Sequence, residues 1–259
     1  HYDTLYKFLA PLGVTIALLT GSQTPAQKKQ IRQLIADGQI DVAVGTQALI
    51  QKSTRFSSLG LVITDEQHRF GVGQRAALGS KGNEPHVLVM SATPIPRTLG
   101  MIIYGDLDIS VLNELPKGRI PVETYAVTGK LRQRAFSFIK KHLDEGRQAY
   151  IVCPMIEDSD SDLQSVCSYA EKISSNEFKN YRVGLLHGKM SPAEKDSTMA
   201  EFKNGNIDLL VCTTVIEVGV DVPNAVIMLI ENSERFGLSQ LHQIRGRIGR
   251  SNRKAYAYI

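Results

Sequence analysis

Ile16-Ala-Leu-Leu-Thr-Gly-Ser-Gln-Thr-Pro-Ala-Gln-Lys28 recurs 167 positions later, Ile16 falling on Val183, as Val183-Gly-Leu-Leu-His-Gly-Lys-Met-Ser-Pro-Ala-Glu-Lys195. At the same offset and without a gap, Gly38-Gln-Ile-Asp-Val-Ala-Val-Gly-Thr46 falls on Gly205-Asn-Ile-Asp-Leu-Leu-Val-Cys-Thr213. Each copy reads as a strand, a glycine loop, a helix and a second strand. Thr24 and Ser191 offer N-cap oxygens, and Pro25 and Pro192 occupy the first helical position, where a missing N–H does no harm. Gly38 and Gly205 stand where a helix ends in the left-handed conformation. Chance likeness between two generic strand–helix–strand units is the competing explanation, but caps, stops and terminal threonines coincide in register. Strands alternating with helices predict an α/β protein with parallel sheets covered on both faces, and the duplication predicts two such domains.

Outward from the first copy, Leu61-Val-Ile-Thr-Asp-Glu-Gln-His68 sets two carboxylates at the C-terminal end of a short apolar run, the edge at which an α/β sheet binds ligands. This is the layout of a Walker B strand, although an Asp-Glu pair after a strand also suits a helix N-terminus. Outward from the second copy, Gln243-Ile-Arg-Gly-Arg-Ile-Gly-Arg250 interleaves arginines with glycines, a spacing that brings guanidinium forks near phosphate oxygens. Gly246 and Gly249 read as positions of close approach to a ligand. Arg245, Arg253 and Lys254 read equally as a solvated basic face or a patch for a nucleic-acid backbone. The pattern points to hydrolysis of a nucleoside triphosphate, yet no G-x-x-x-x-G-K-[ST] loop occurs in the chain.

Helical periodicity covers about 3–10, 27–36, 97–103, 131–144 and 163–173, and strand-like runs cover 15–19, 42–44, 61–63, 87–90, 149–153, 209–212 and 226–230. Proline and glycine concentrate in 113–121, which predicts domains 1–117 and 118–259 with a cleft between them. The 259 residues are 42% hydrophobic and 22% charged, enough for proper cores. Three cysteines, Cys153, Cys167 and Cys212, lack metal-type spacing; Cys153 and Cys212 lie in apolar runs and read as buried thiols in a reducing compartment. No apolar run is long enough for a membrane span and no leader pattern is present, so a cytoplasmic protein with no membrane partner is expected. A net charge of +4 permits nucleic acid as a partner without demanding it.

Four stretches carry a resemblance: Asp65-Glu-Gln-His-Arg-Phe-Gly-Val72, Ser91-Ala-Thr-Pro-Ile-Pro-Arg-Thr-Leu99, Thr213-Thr-Val-Ile-Glu-Val-Gly-Val-Asp-Val-Pro-Asn224 and Arg235-Phe-Gly-Leu-Ser-Gln-Leu-His-Gln-Ile-Arg-Gly-Arg-Ile-Gly-Arg250. Together they resemble the motor of the RecG family, superfamily-two helicases that act on branched DNA. Tyr104-Gly-Asp-Leu-Asp-Ile-Ser-Val111 strengthens that likeness, while Ser251-Asn-Arg-Lys-Ala-Tyr-Ala-Tyr-Ile259 is reminiscent of the transcription-repair coupling factor. The resemblance implies two RecA-like domains, the first N-terminally truncated before its phosphate loop, and ATP with Mg²⁺ as cofactors.

By the same resemblance, Asp65 holds Mg²⁺ and Glu66 activates the attacking water, while Arg247 and Arg250 contact the terminal phosphate, Arg250 as the arginine finger. Gln243, Gly219 and Asp221 join the nucleotide site; Asp221 reads alternatively as an Asx turn before Pro223. Ser91 and Thr93, with His68, resemble the element coupling nucleotide state to DNA, and Ser91 or Thr93 could equally cap a helix. Gly21, Thr46, Gly188 and Thr213 end strands where hydroxyl and backbone N–H groups can hold a nucleic-acid backbone. A monomer acting on branched or double-stranded DNA is implied, with no turnover expected from this chain alone. A double-stranded DNA translocase of the coupling type and a non-catalytic DNA-binding fragment are the alternatives.

Overall fold

The computed structural model describes residues 1–65, 81–91, 108–114, 118–154, 160–214 and 221–259. Glu66, His68, Thr93, Gly219 and the expected helix at 97–103 lie outside the described residues. The chain forms two compact units, His1–Ala92 and Thr93–Ile259.

In the first unit, α1 (Tyr2–Leu9) precedes β1 (Ile16–Leu19), α2 (Pro25–Ala36) and β2 (Val42–Gly45); β3 (Leu61–Thr64) and β4 (His86–Val89) follow. β1 pairs with β2 and β3 with β4, both in parallel. In the second unit come β5 (Glu123–Tyr125), α3 (Arg132–Asp144), β6 (Gln148–Val152), α4 (Asp160–Ser175), β7 (Val183–Leu186), α5 (Pro192–Lys203), β8 (Leu209–Cys212), β9 (Ala225–Ile230), α6 (Leu238–Arg245) and β10 (Tyr256–Tyr258). Its strands form one six-stranded parallel sheet in the order β5-β10-β9-β6-β8-β7.

The duplication holds at atomic detail. Ile16 pairs with Val42 and Val183 with Leu209, each pair shifted by the sequence offset. Thr24 accepts the Gln27 N–H as Ser191 accepts that of Glu194, and both helices carry a complete capping box. Gly38 at φ 72° and Gly205 at φ 79° end the two helices in the left-handed region, where a Cβ would be strained. Ahead of the strands, Asp41 accepts the Thr15 N–H at 2.7 Å and Asp208 accepts the Arg182 N–H at 2.8 Å.

The second unit meets the expectation of a sheet covered on both faces. Tyr150, Val152, Leu210, Cys212, Met228 and Ile230 point to one side, where Phe202 of α5 and Ile244 of α6 close the core. Ala149, Ile151, Leu209, Val211, Ile227 and Leu229 point to the other, against Phe136, Ile139 and Leu143 of α3 and Ile173 of α4. Two-sided burial is why these strands read as continuous apolar runs rather than alternating ones. In the first unit, Val62 and Thr64 are buried, while Leu61 and Ile63 on the opposite face of β3 are each 56% exposed.

Phe202 is fully buried against Tyr150, ring centroids 4.8 Å apart, and its carbonyl accepts from Gln148. Phe202→Ala should therefore cost about 3–5 kcal/mol, read by urea denaturation. Asp208 supplies a pH test. Burial pushes its carboxyl up, but the Arg182 guanidinium and backbone N–H outweigh that and hold it below its ordinary 3.8. A depressed carboxyl stabilises the fold above the unfolded value and loses that contribution as pH falls through the folded one. Melting curves of Asp208→Asn should show lower stability at neutral pH and a flatter decline below about pH 4.

Candidate functional site

Asp65 follows β3 directly and Ser91 lies two residues beyond β4. Thr64 pairs with Val89, and the Met90 N–H donates to the Thr64 carbonyl at 2.8 Å, so both residues leave the sheet at the same C-terminal edge. Asp65 Oδ2 lies 2.8 Å from His1 Nε2, and its side chain is 40% exposed. Among the described residues, no three His, Cys, Asp or Glu side chains gather as a metal cage. One accessible carboxylate at a strand end suits Mg²⁺, which takes one or two carboxylates and completes its shell with water and substrate phosphates.

Gly21 and Thr46, expected to meet nucleic acid, line one cleft of about 480 Å³ together with Lys28, Arg32, Gly45, Gln47, Ala48 and Gln51. The Thr46 N–H extends the β1–β2 ladder by donating to the Leu19 carbonyl at 3.3 Å. Lys28 Nζ donates to the Gly21 carbonyl. Arg32 donates to Gln51 Oε1 at 2.7 Å and to the buried Thr54 hydroxyl at 3.2 Å, which fixes the floor of the cleft. Lys28 and Arg32 were not among the residues expected from sequence to meet the ligand. The signal for Lys28 lay in the repeat, where it aligns with Lys195.

Gly188 and Thr213 occupy the equivalent places in the second unit. The Thr213 N–H donates to the Leu186 carbonyl at 3.1 Å, and Lys195 Nζ donates to the Gly188 carbonyl. Thr46 is exposed, whereas Thr213 is 1% exposed. Its hydroxyl and the His187 Nδ1 are buried and have no hydrogen-bond partner among the described residues. A buried polar atom left unpaired costs about 1–3 kcal/mol, and such exceptions concentrate at functional positions. Burial, then the Lys195 charge, holds the His187 imidazole below its usual range, so it is neutral at pH 7.

The arginine motif begins on α6. Ile244 and Ile248 are fully buried, and these anchors place Gln243 and Arg247 as half-buried neighbours. Arg250 Nε donates to the Gly246 carbonyl at 3.0 Å, and its Nη1 lies 4.0 Å from Asp221 Oδ1. Burial raises the Tyr150 hydroxyl above its usual range, with Cys212 acting the same way and the Arg247 and Arg250 charges opposing it. Three basic residues left open by sequence are engaged within the unit: Arg245 with Thr124, Arg253 with Asn224 and Lys254 with Glu123.

Gly249 has φ 69°, and a Cβ there would lie 2.7 Å from Val122 Cγ2, so packing within the unit by itself requires glycine at that position; Gly246 caps α6. A further cavity of about 190 Å³ sits beyond the C-terminal ends of β6 and β9, between Cys153, Tyr169, Glu231, Asn232, Arg132 and Arg235. Glu231 accepts from Arg132 at 2.7 Å and from Tyr169 at 2.6 Å, so its charge is satisfied internally. Burial pushes the Cys153 thiol up to about 12, which makes it an inert core group. Partners 62 and 99 residues from Glu231 in sequence left no local signal for this network.

Parallel sheets carrying carboxylate and arginine motifs at their edges define the two halves of a DEAD/DEAH-type helicase motor. Residues 1–102 match the DEAD/DEAH box helicase family, and residues 133–252 match the helicase conserved C-terminal domain. Over its whole length the chain is 47% identical to the ATP-dependent DNA helicase RecG of Synechocystis sp., 48% to that of Thermotoga maritima and 48% to that of Bacillus subtilis. It spans about a third of those relatives, 31%, 33% and 38% of their lengths. A structure of RecG bound to a three-way DNA junction superposes with a TM-score of 0.77 at 45% identity, covering 100% of this chain and 33% of that one. The helicase MrfA bound to DNA and AMPPNP matches in fold, with a TM-score of 0.70 at 16% identity over 99% of this chain and 39% of that one. The chain belongs to the RecG family.

Gly249→Ala should destabilise the second unit by about 1–3 kcal/mol through its left-handed backbone and the contact with Val122, a change that thermal melting in the absence of any ligand detects.

Proposed function

We propose that this chain is motor-domain sequence of an ATP-dependent DNA helicase that remodels branched DNA, such as replication forks and Holliday junctions, in repair and recombination. The observation that carries the proposal is the whole-length likeness, 45% identical, to RecG bound to a three-way junction. The division into functional domains at 117/118 belongs to this reading and is supported by the two family matches, which end at 102 and resume at 133. Cytoplasmic action as a monomer belongs to it as well.

In this reading Asp65 holds Mg²⁺ and Glu66 orients and deprotonates the attacking water. Arg247 and Arg250 neutralise charge developing on the transferred phosphoryl group, the task arginines perform throughout phosphoryl transfer. Gln243, Gly219 and Asp221 complete the nucleotide contacts. His68, Ser91 and Thr93 relay nucleotide state to Gly21, Thr46, Gly188 and Thr213, which hold the DNA backbone without reading sequence. Bound ATP with Mg²⁺ would supply the chemical energy; these residues bind, orient and move the proton.

The segment preceding the matched span in Thermotoga maritima RecG, fused ahead of His1, supplies the test. ATP hydrolysis by the 259-residue chain alone should stay at background, and the fusion should be stimulated more by forked than by linear DNA. Glu66→Gln in the fusion should lower turnover by about 10²–10⁴-fold, the usual worth of a general base. A fusion that hydrolyses ATP indifferently to DNA would sink the helicase reading.

A further inference from the structure

Besides the Asp41 and Asp208 bonds ahead of the strands, the two copies of the repeat share a side-chain interaction that neither capping nor core packing requires. Lys28 Nζ donates to the Gly21 carbonyl and Lys195 Nζ to the Gly188 carbonyl, each at 2.5 Å and each seven residues back along the chain. These are equivalent lysines reaching equivalent carbonyls in loops whose other contacts differ: Gln23 braces the first and Met190 the second. Lysine side chains carry high rotamer entropy, and pinning one to a carbonyl costs that entropy in both copies. The sequence elsewhere on the two helices is free to vary, as Lys29 against Asp196 shows.

We propose that Lys28 and Lys195 are paired positioning residues that set the orientation of the two DNA-holding loops; the inference rests on the DNA-motor reading above. The physical link is the planar trans peptide, in which C=O and N–H point in opposite directions. Holding the Gly21 carbonyl toward α2 turns the 21–22 N–H the other way, and holding the Gly188 carbonyl toward α5 does the same for the 188–189 peptide. Each lysine thus fixes a backbone donor direction and leaves its own charge beside the loop, bound to protein oxygen rather than offered to phosphate. In the first unit the tethered Gly21 lines the same cleft as Thr46. In the second, the Thr213 hydroxyl at the adjoining strand end, buried and without a hydrogen-bond partner among the described residues, is an independent sign of a ligand side.

Binding of the 259-residue chain to a fluorescent DNA fork, measured by anisotropy over a range of salt concentrations, tests this. The variants are Lys28→Met, Lys195→Met, Lys28→Arg, Lys195→Arg and, as a control for lost charge, Lys29→Met. Both lysines lie near helix N-termini with partial exposure, and methionine is as good a helix former, so folding is retained and circular dichroism checks it. Each methionine variant at 28 or 195 should bind about tenfold more weakly, the worth of one charge-assisted hydrogen bond. The slope of log affinity against log salt should stay unchanged, arginine should restore affinity, and Lys29→Met should leave it unaltered. A slope that falls by about 0.7–0.9 per lysine would make them direct phosphate contacts and overturn the proposal. Wild-type affinity in the methionine variants would overturn it too. If neither the wild-type chain nor the fusion described above binds a fork, the DNA-motor reading falls, and this inference with it.

Discussion

Parallel pairing of β1 with β2, and of β7 with β8, is the constraint on which the rest depends. A parallel pair cannot close through a tight turn, so each needs a crossover, and here each crossover is a twelve-residue helix held by a capping box at one end and a left-handed glycine at the other. With both helix ends specified, the loop that opens the crossover and the threonine that follows the second strand emerge side by side. One further ladder bond, Thr46 to Leu19 and Thr213 to Leu186, carries the pairing beyond the strands and sets those threonines. Residues at this edge are therefore positioned by backbone hydrogen bonds, which are less adjustable than side-chain contacts.

The two units use that scaffold differently. In the second, the duplicated strand pair is embedded in a six-stranded sheet covered on both faces, and Thr213 is sealed within it. In the first, Thr46 is exposed in a cleft with two cations nearby. The arginine motif is likewise held by burial of its apolar members: Ile244 and Ile248 are wholly enclosed, which leaves Arg247 and Arg250 with little choice of direction. Asp221 next to Arg250 restrains the guanidinium that the motif presents. Like-signed groups gathered at one place are tolerable because each is partly paired or partly solvated.

Much of this was legible in the amino-acid order because it depends on local rules. Thr24, Ser191, Pro25, Pro192, Gly38 and Gly205 act through caps and backbone angles that a few neighbouring residues specify, and the apolar runs of β6, β8 and β9 announce strands buried on both sides. Repetition at a constant offset converted those local signals into a topology. Asp65, Gln243, Arg247 and Arg250 were visible because their chemistry is tied to short spacings. The crowding of Gly249 by Val122 was not legible, since only the folded chain brings Val122 near.

Local periodicity, capping residues and the duplicated pattern determined the α/β class, the parallel pairing and where the paired strands end. Tertiary structure alone decided which of those ends are open. Thr46 and Thr213 are the same residue in the same repeat, yet one is solvated and one buried, because exposure depends on what other elements pack alongside. It also decided that Lys28 and Lys195 reach back to glycine carbonyls, and that Glu231 is satisfied by Arg132 and Tyr169. Such contacts join residues across a turn or across the sheet, where geometry in three dimensions, rather than spacing along the chain, sets the partner.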